Sequence, residues 1–207
     1  MEAETYESLI GKVKTAEEAK DYRSARGFAG KLLSLAIDDG NKELIQEYDE
    51  LEDEFTKNSL EEMFRGERYW ADSDKLKTAC DMTWRKKSLR LYLATVLEKH
   101  GLYGNAGDIA KSAHEPKRAF GLYKRGEEYL AAARISHEAN KPDEEKELYE
   151  KAISKFAECS DTLPKAVSTA REAKRHDLEI RHLRQQPGWR DWADKKEKEY
   201  IEKGLLE

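Results

Sequence analysis

Glu179-Ile180-Arg181-His182 has ExxH spacing, which puts a carboxylate and an imidazole on one helical face, as carboxylate-bridged di-iron centres require. Such a centre needs two ExxH motifs and two further inward glutamates, and no second ExxH occurs in the chain. His137-Glu138 and His114-Glu115 begin like the HExxH of zinc hydrolysis, but neither has the second histidine. Phosphate-cradling GxGxxG or GxxxxGK[ST] loops are missing, and the glycines stand singly, as helix caps do. His100 and His176 suit helix ends, where an imidazolium complements the C-terminal dipole. Cys80 and Cys159 lie far apart with no CxxC partner and no histidine nearby. The expectation is free, mostly buried thiols in a reducing cytoplasm, no metal, no cofactor and no catalysis.

The basic residues offer another chemistry. Arg85, Lys86, Lys87 and Arg90 fall within one and a half helical turns beside Trp84. Residues 164–190 carry seven cations (Lys165, Arg171, Lys174, Arg175, Arg181, Arg184, Arg190) against three acids, with His176 and His182 among them. Cations interleaved with an aromatic can track a phosphate backbone, dock an acidic peptide, or merely solvate an outer helix face. The whole chain has 43 acidic and 38 basic residues for a net charge of −5, whereas a bulk polyanion binder is basic overall. Residues 1–70 hold 18 acids and 10 bases, the remainder 25 and 28. The run Glu47, Asp49, Glu50, Glu52, Asp53, Glu54 reads as an outward face opposite Tyr48, Leu51 and Phe55. It also offers a basic partner, or the basic half of a second copy, a place to dock.

Helices must position these groups. Charged residues make up 39% and hydrophobic residues 38% of the 207 positions, against roughly 25% charged in an average domain. Ala, Leu, Glu and Lys dominate, all strong helix formers, and only four prolines and twelve glycines interrupt them. Apolar residues recur at helical spacing from end to end. The pattern predicts about eleven helices. The first ends near Lys14, and Thr15-Ala16-Glu17-Glu18 reads as a capping box for a second that Gly40 terminates. A third carries Leu44 to Phe55, and Ser59-Leu60-Glu61-Glu62 reads as a further capping box. One long run is expected from Asp74 to His100-Gly101. Shorter helices follow over 103–113, 116–124, 126–139 and 142–158, then from Ser160 onwards and after Gln186-Pro187-Gly188. Residues 66–73 are the expected boundary between an acidic half, 1–66, and a second half, 67–207. No stretch approaches 18 apolar residues, and the acidic start Met1-Glu2-Ala3-Glu4 does not resemble a secretory signal.

The spacing within 129–157 resembles a tetratricopeptide repeat (TPR). Tyr129, Ala132, Ala133 and Ser136 stand where that family puts a large residue, Leu, Gly and Tyr, and Glu145, Tyr149 and Ala152 where it prefers Ala, an aromatic and Ala. A weaker match runs over 9–32 through Leu9, Val13, Ala16, Tyr22, Ala25, Ala29 and Leu32. Residues 94–113 and 166–193 are similar to the short hairpins of clathrin-type and coat-protein solenoids. Glu145 and Ser136 depart from the family pattern, and the intervals between units are irregular. The resemblance implies an all-α fold of antiparallel hairpins stacked as a TPR-like right-handed α-solenoid, the alternative being a non-repetitive helical bundle.

From that follows the expectation of a non-catalytic scaffold or adaptor that takes a peptide or helix of a partner protein in a repeat groove. The candidate contact residues are Arg90, Tyr123, Lys124, Tyr129 and Arg134. The alternative is a nucleic-acid-binding helical protein using Arg85, Lys86, Lys87, Arg171, Lys174, Arg175, Arg181 and Arg184. Oligomeric state is left open.

Overall fold

Helix starts are set by side chains that satisfy first-turn amides. In the computed structural model, which describes residues 5–65 and 73–206, Thr5, Asp21 and Asn41 each accept a backbone N–H at the start of α1 (Tyr6–Glu18), α2 (Tyr22–Asp38) and α3 (Lys42–Met63). Three further helices follow, α4 (Ser73–Thr83), α5 (Lys87–Lys99) and α6 (Tyr103–Ser112). Proline, pre-set for a first turn, opens α7 (Pro116–Arg125) and α9 (Pro142–Ala157), with α8 (Tyr129–Glu138) between them. A 3₁₀ turn at Ser160–Thr162 leads into α10 (Leu163–Glu172), then α11 (His176–Gln185) and α12 (Arg190–Glu202). Every regular element among the described residues is helical, and none of those helices is long and apolar enough to cross a membrane.

One connector recurs. Two helices are repeatedly joined by three residues whose middle member is left-handed: Lys20, Gly40, Gly101, His114, Glu127, Asn140 and Lys174, with φ between 54° and 78°. The following amide then bonds back to a carbonyl in the last turn, as in Asp21 N to Ala16 O (2.8 Å), Glu128 N to Tyr123 O (2.8 Å) and Arg175 N to Ala170 O (2.8 Å). These 6→1 bonds make each end a Schellman cap. Gly101, His114, Glu127 and Asn140 follow one another at 13-residue intervals, the length of a ten-residue helix such as α6, α7 or α8 plus its connector.

Residues Met1–Glu115 and Pro116–Glu207 form two compact units. In the first, α1 packs on α2, α2 on α3, α3 on α4 and α5, α4 on α5, and α5 on α6. In the second, α7 to α12 pack in chain order, each on the next. Alanine recurs in the buried helix faces: Ala25, Ala29 and Ala36 in the first unit and Ala119, Ala132, Ala133, Ala166, Ala170 and Ala193 in the second are fully buried. A methyl at a crossing point lets two helices approach to about 8–10 Å. Larger side chains then fill the adjoining gaps, Leu9, Leu32, Tyr48 and Phe55 in one core and Val167, Ile180, Leu183 and Tyr200 in another.

The structure corrects several expectations. Thr15 does not open a helix: α1 runs on to Glu18 and the Thr15 hydroxyl bonds back to Gly11 O at 3.0 Å. Ser59 does not cap either; it is buried within the unbroken α3. The single run expected from Asp74 to His100 is two helices, α4 and α5, broken at Trp84-Arg85-Lys86 without glycine or proline. Both cysteines are free, but Cys159 is exposed and Cys80 half-buried, with burial pushing the Cys80 thiol upward. Of the expected boundary at 66–73, all but Ser73 lies outside the described residues.

Candidate functional site

The two side chains of the ExxH pair take different partners. Glu179 is fully buried on α11 and accepts Arg171 Nη2 at 2.7 Å, Arg171 Nε at 2.8 Å and the Tyr200 hydroxyl at 2.9 Å. His182 instead pairs its Nδ1 with Gln185 Oε1 at 3.0 Å. The His176 ring packs on Tyr200, centroids 4.2 Å apart, and Arg171 lies 5.7 Å from the Trp192 ring. Burial and the bond to Glu179 push the Tyr200 phenol upward. This cluster ties α10, α11 and α12 together. Among the described residues no group of three or more His, Cys, Asp or Glu is placed to hold a metal.

Most cations of the two basic clusters are bound within the chain. Lys86 reaches Asp49 and Asp53 on α3, both at 2.6 Å. Burial lowers its affinity for a proton, but the two carboxylates outweigh that and hold the ammonium above its ordinary range. Lys87 pairs with Glu115 at 2.6 Å. Arg90 donates to Ser112 O at 2.7 Å, capping the end of α6. In the later cluster Arg171 is held by Glu179, Arg175 by Glu150 and Asp177, and Arg184 by Asp194 and Glu197. Arg85 stacks on exposed Trp84 at 5.5 Å. Lys174 and Arg181 are in no ion pair among the described residues, and Arg181 lines a cleft with Ile180 and Ile201.

The expected contact residues do not gather in one groove. Arg90 belongs to the first unit and the other four to the second. Tyr123 is a core side chain, 3% exposed. Tyr129 lies under the Lys155 ammonium, 5.7 Å from its ring, in an open cleft of about 470 Å³ whose rim is mostly glutamate and lysine. Arg134 opens on a different cleft, of about 580 Å³, and forks onto Glu172 through Nε and Nη2, both at 2.8 Å. Tyr149 donates to the same carboxylate at 2.9 Å. Arg134 and, against burial, Tyr149 hold the Glu172 carboxyl below its ordinary range.

Lys124 is exposed. Its ammonium lies 5.3 Å from the Phe120 ring, and Lys141 approaches the same ring at 5.9 Å. Half-buried Phe120 forms one wall of a slot of about 270 Å³, with Pro116, Ile135 and Ala139 completing its apolar lining. Lys117 and Lys141 stand at the slot. Its one carboxylate, Glu144, is engaged by Lys141 at 3.2 Å and the Ser136 hydroxyl at 3.3 Å. Neither Lys117 nor Lys124 is in an ion pair among the described residues. Sequence reasoning picked out Lys124 and missed Lys117, Phe120 and Lys141. The available signal was α7 itself, which reads Pro-Lys-Arg-Ala-Phe-Gly-Leu-Tyr-Lys-Arg and carries four cations and no acid.

No protein-family model, curated protein or solved structure matches this chain.

Proposed function

We propose that the chain is a non-catalytic protein-interaction module, a scaffold or adaptor whose hairpins stack within each unit in a TPR-like, right-handed α-solenoid manner and receive a segment of a partner protein. Support for the architecture comes from the recurring three-residue connector, from fully buried alanines along the packed helices and from helices that pack in chain order. The observation that carries the functional reading is the slot at Phe120, where an apolar lining lies beside Lys117, which is in no ion pair among the described residues, and near the ammonium of Lys124. An apolar recess with a few polar groups around it is the usual form of a side-chain anchor site.

The nucleic-acid alternative loses support from the ion pairs. Lys86, Lys87, Arg171, Arg175 and Arg184 are committed to carboxylates, so a phosphate would have to displace an internal partner at each. The test is affinity capture on the purified chain and on Lys117→Glu/Lys124→Glu, each with and without nuclease. Proteins retained after nuclease by the wild type and lost by the variant support an interaction module. Recovery of nucleic acid, with its accompanying proteins lost on digestion, favours the alternative.

A further inference from the structure

The geometry points to a partner of particular chemistry at the Phe120 slot: an acidic segment of another protein that seats one apolar side chain in the slot and lays carboxylates against Lys117 and Lys124. This rests on the interaction-module reading and deepens it. The slot's volume, about 270 Å³, falls below the roughly 300–1,000 Å³ of pockets that enclose a whole drug-sized ligand. A single leucine or phenylalanine side chain suits it better. Pro116, Phe120, Ile135 and Ala139 make its apolar lining, and of its polar members the Ser136 hydroxyl and Lys141 already engage the Glu144 carboxylate, so an apolar group can enter beside polar groups that are partnered.

The surroundings specify charge. α7 holds Lys117, Arg118, Lys124 and Arg125 and no acid. Lys124 in the last turn is accounted for by the helix dipole, which favours cations there. Lys117 is not: it stands in the first turn, where the dipole disfavours a cation, and no carboxylate of the chain compensates it among the described residues. Lys141 already shares the Glu144 carboxylate, which leaves Lys117 at the slot as the cation in no ion pair among the described residues; Lys124, beside the Phe120 ring, feels Glu147 at a distance but forms no direct ion pair with it. Complementary charge of this kind chiefly steers encounter and selects the partner, while the buried anchor sets the lifetime.

The experiment uses fluorescein-labelled peptides against the full chain, followed by anisotropy at low and physiological salt. One peptide has a central leucine flanked by aspartate and glutamate. A second replaces that leucine with serine, and a third replaces the acids with lysines. The acidic leucine peptide should bind, weaken at higher salt, and outbind the serine peptide by about tenfold, the worth of one modest anchor. Phe120→Ala should remove the anchor preference. Lys117→Glu/Lys124→Glu, at exposed positions that circular dichroism will show still folded, should remove the charge preference. If acidic and basic leucine peptides bind equally, the slot is a peptide site but the acidic partner is overturned. If no leucine peptide binds, the slot reading itself falls. Binding unaffected by either variant places the peptide elsewhere, and displacement of the peptide by oligothymidylate assigns α7 to nucleic acid; each overturns this inference.

Discussion

Two basic regions of the second unit look alike in sequence and differ in what their charges do. Residues 164–190 hold seven cations, α7 four. In the first region the packed neighbours supply anions: Glu150 from α9 takes Arg175, Glu179 takes Arg171, and Asp194 and Glu197 from α12 take Arg184. At α7, among the described residues, Lys117 at the Phe120 slot and Lys124 beside the Phe120 ring are in no ion pair, although Lys124 feels Glu147 of α9 at a distance. A charge run along one helix therefore says little about availability, because neutralisation comes from the helices packed beside it. The same side-chain types act as structural glue at Arg171, Arg175 and Arg184 and stand without an ion pair at Lys117.

The largest effect should come from breaking the glue. Arg171→Met keeps the apolar stem but leaves Glu179, fully buried, with Tyr200 as its hydrogen-bond partner. Removing one member of a buried pair costs about 3–5 kcal/mol. Since Arg171 is half exposed, about 3 kcal/mol is the expected loss in urea unfolding. Lys117→Ala and Lys124→Ala should each stay within about 0.5 kcal/mol of wild type, as exposed substitutions usually do. Equal losses at Arg171 and Lys117 would erase the distinction between the regions. Ala133→Leu, at a fully buried position on α8, should cost about 1–3 kcal/mol by overpacking. An unchanged thermal midpoint there would count against alanine-spaced hairpins as the packing rule.

A smaller effect tests the pair that lies between the two extremes. Arg134 and Glu172 fork together but remain partly exposed, side chains 53% and 36% accessible. Arg134 holds the Glu172 carboxyl below its ordinary value. A carboxyl whose folded pKa is depressed adds stability that is present above the unfolded value, about 4.3 for glutamate, and is lost as pH falls through the folded value. Arg134→Ala should let the Glu172 titration, followed by NMR, move back up, and should cost less than about 1 kcal/mol at neutral pH because solvent screens the pair. A Glu172 titration that does not move would mean that Tyr149 alone sets it.

Much of this fold is legible in the sequence, and the exceptions have physical causes. The short helices after His100 could be read because Pro116, Pro142 and the alanine spacing mark them. The break between α4 and α5 could not, since Trp84, Arg85 and Lys86 are ordinary helix residues with no glycine or proline among them. Ser59 and its following glutamates fit a capping box, yet burial of Phe55, Ser59 and Leu60 along α3 carries the helix straight through. The 13-residue rhythm stayed hidden because His114, Glu127 and Asn140 do what only Gly101 advertises. As for the site, Lys124 stood out beside Tyr123, but the tyrosine is core and the working aromatic is Phe120, one helical turn back. Nothing in residue type tells a helix's inward aromatic from its half-exposed one.

Lys174 gives the finest contrast, because it is a cation of the 164–190 region that is not glue. It occupies the middle of the α10–α11 connector at φ 55°, and no ion pair holds its side chain among the described residues. A left-handed residue with a Cβ carries a penalty of about 1–2 kcal/mol, which glycine lacks. Glycine also gains freedom in the unfolded chain, offsetting roughly 0.5–1 kcal/mol of that relief. Lys174→Gly should therefore stabilise the protein by about 0.5 kcal/mol, the opposite sign to Arg171→Met only three residues away. Lys174→Ala removes the same charge but keeps the Cβ and should give no such gain. If the alanine variant matches the glycine variant, relief of like-charge repulsion explains the effect, and the region's cations crowd one another more than their ion pairs imply. If only glycine stabilises, backbone conformation sets the cost at this connector, and the same substitution should help at His114 and Glu127.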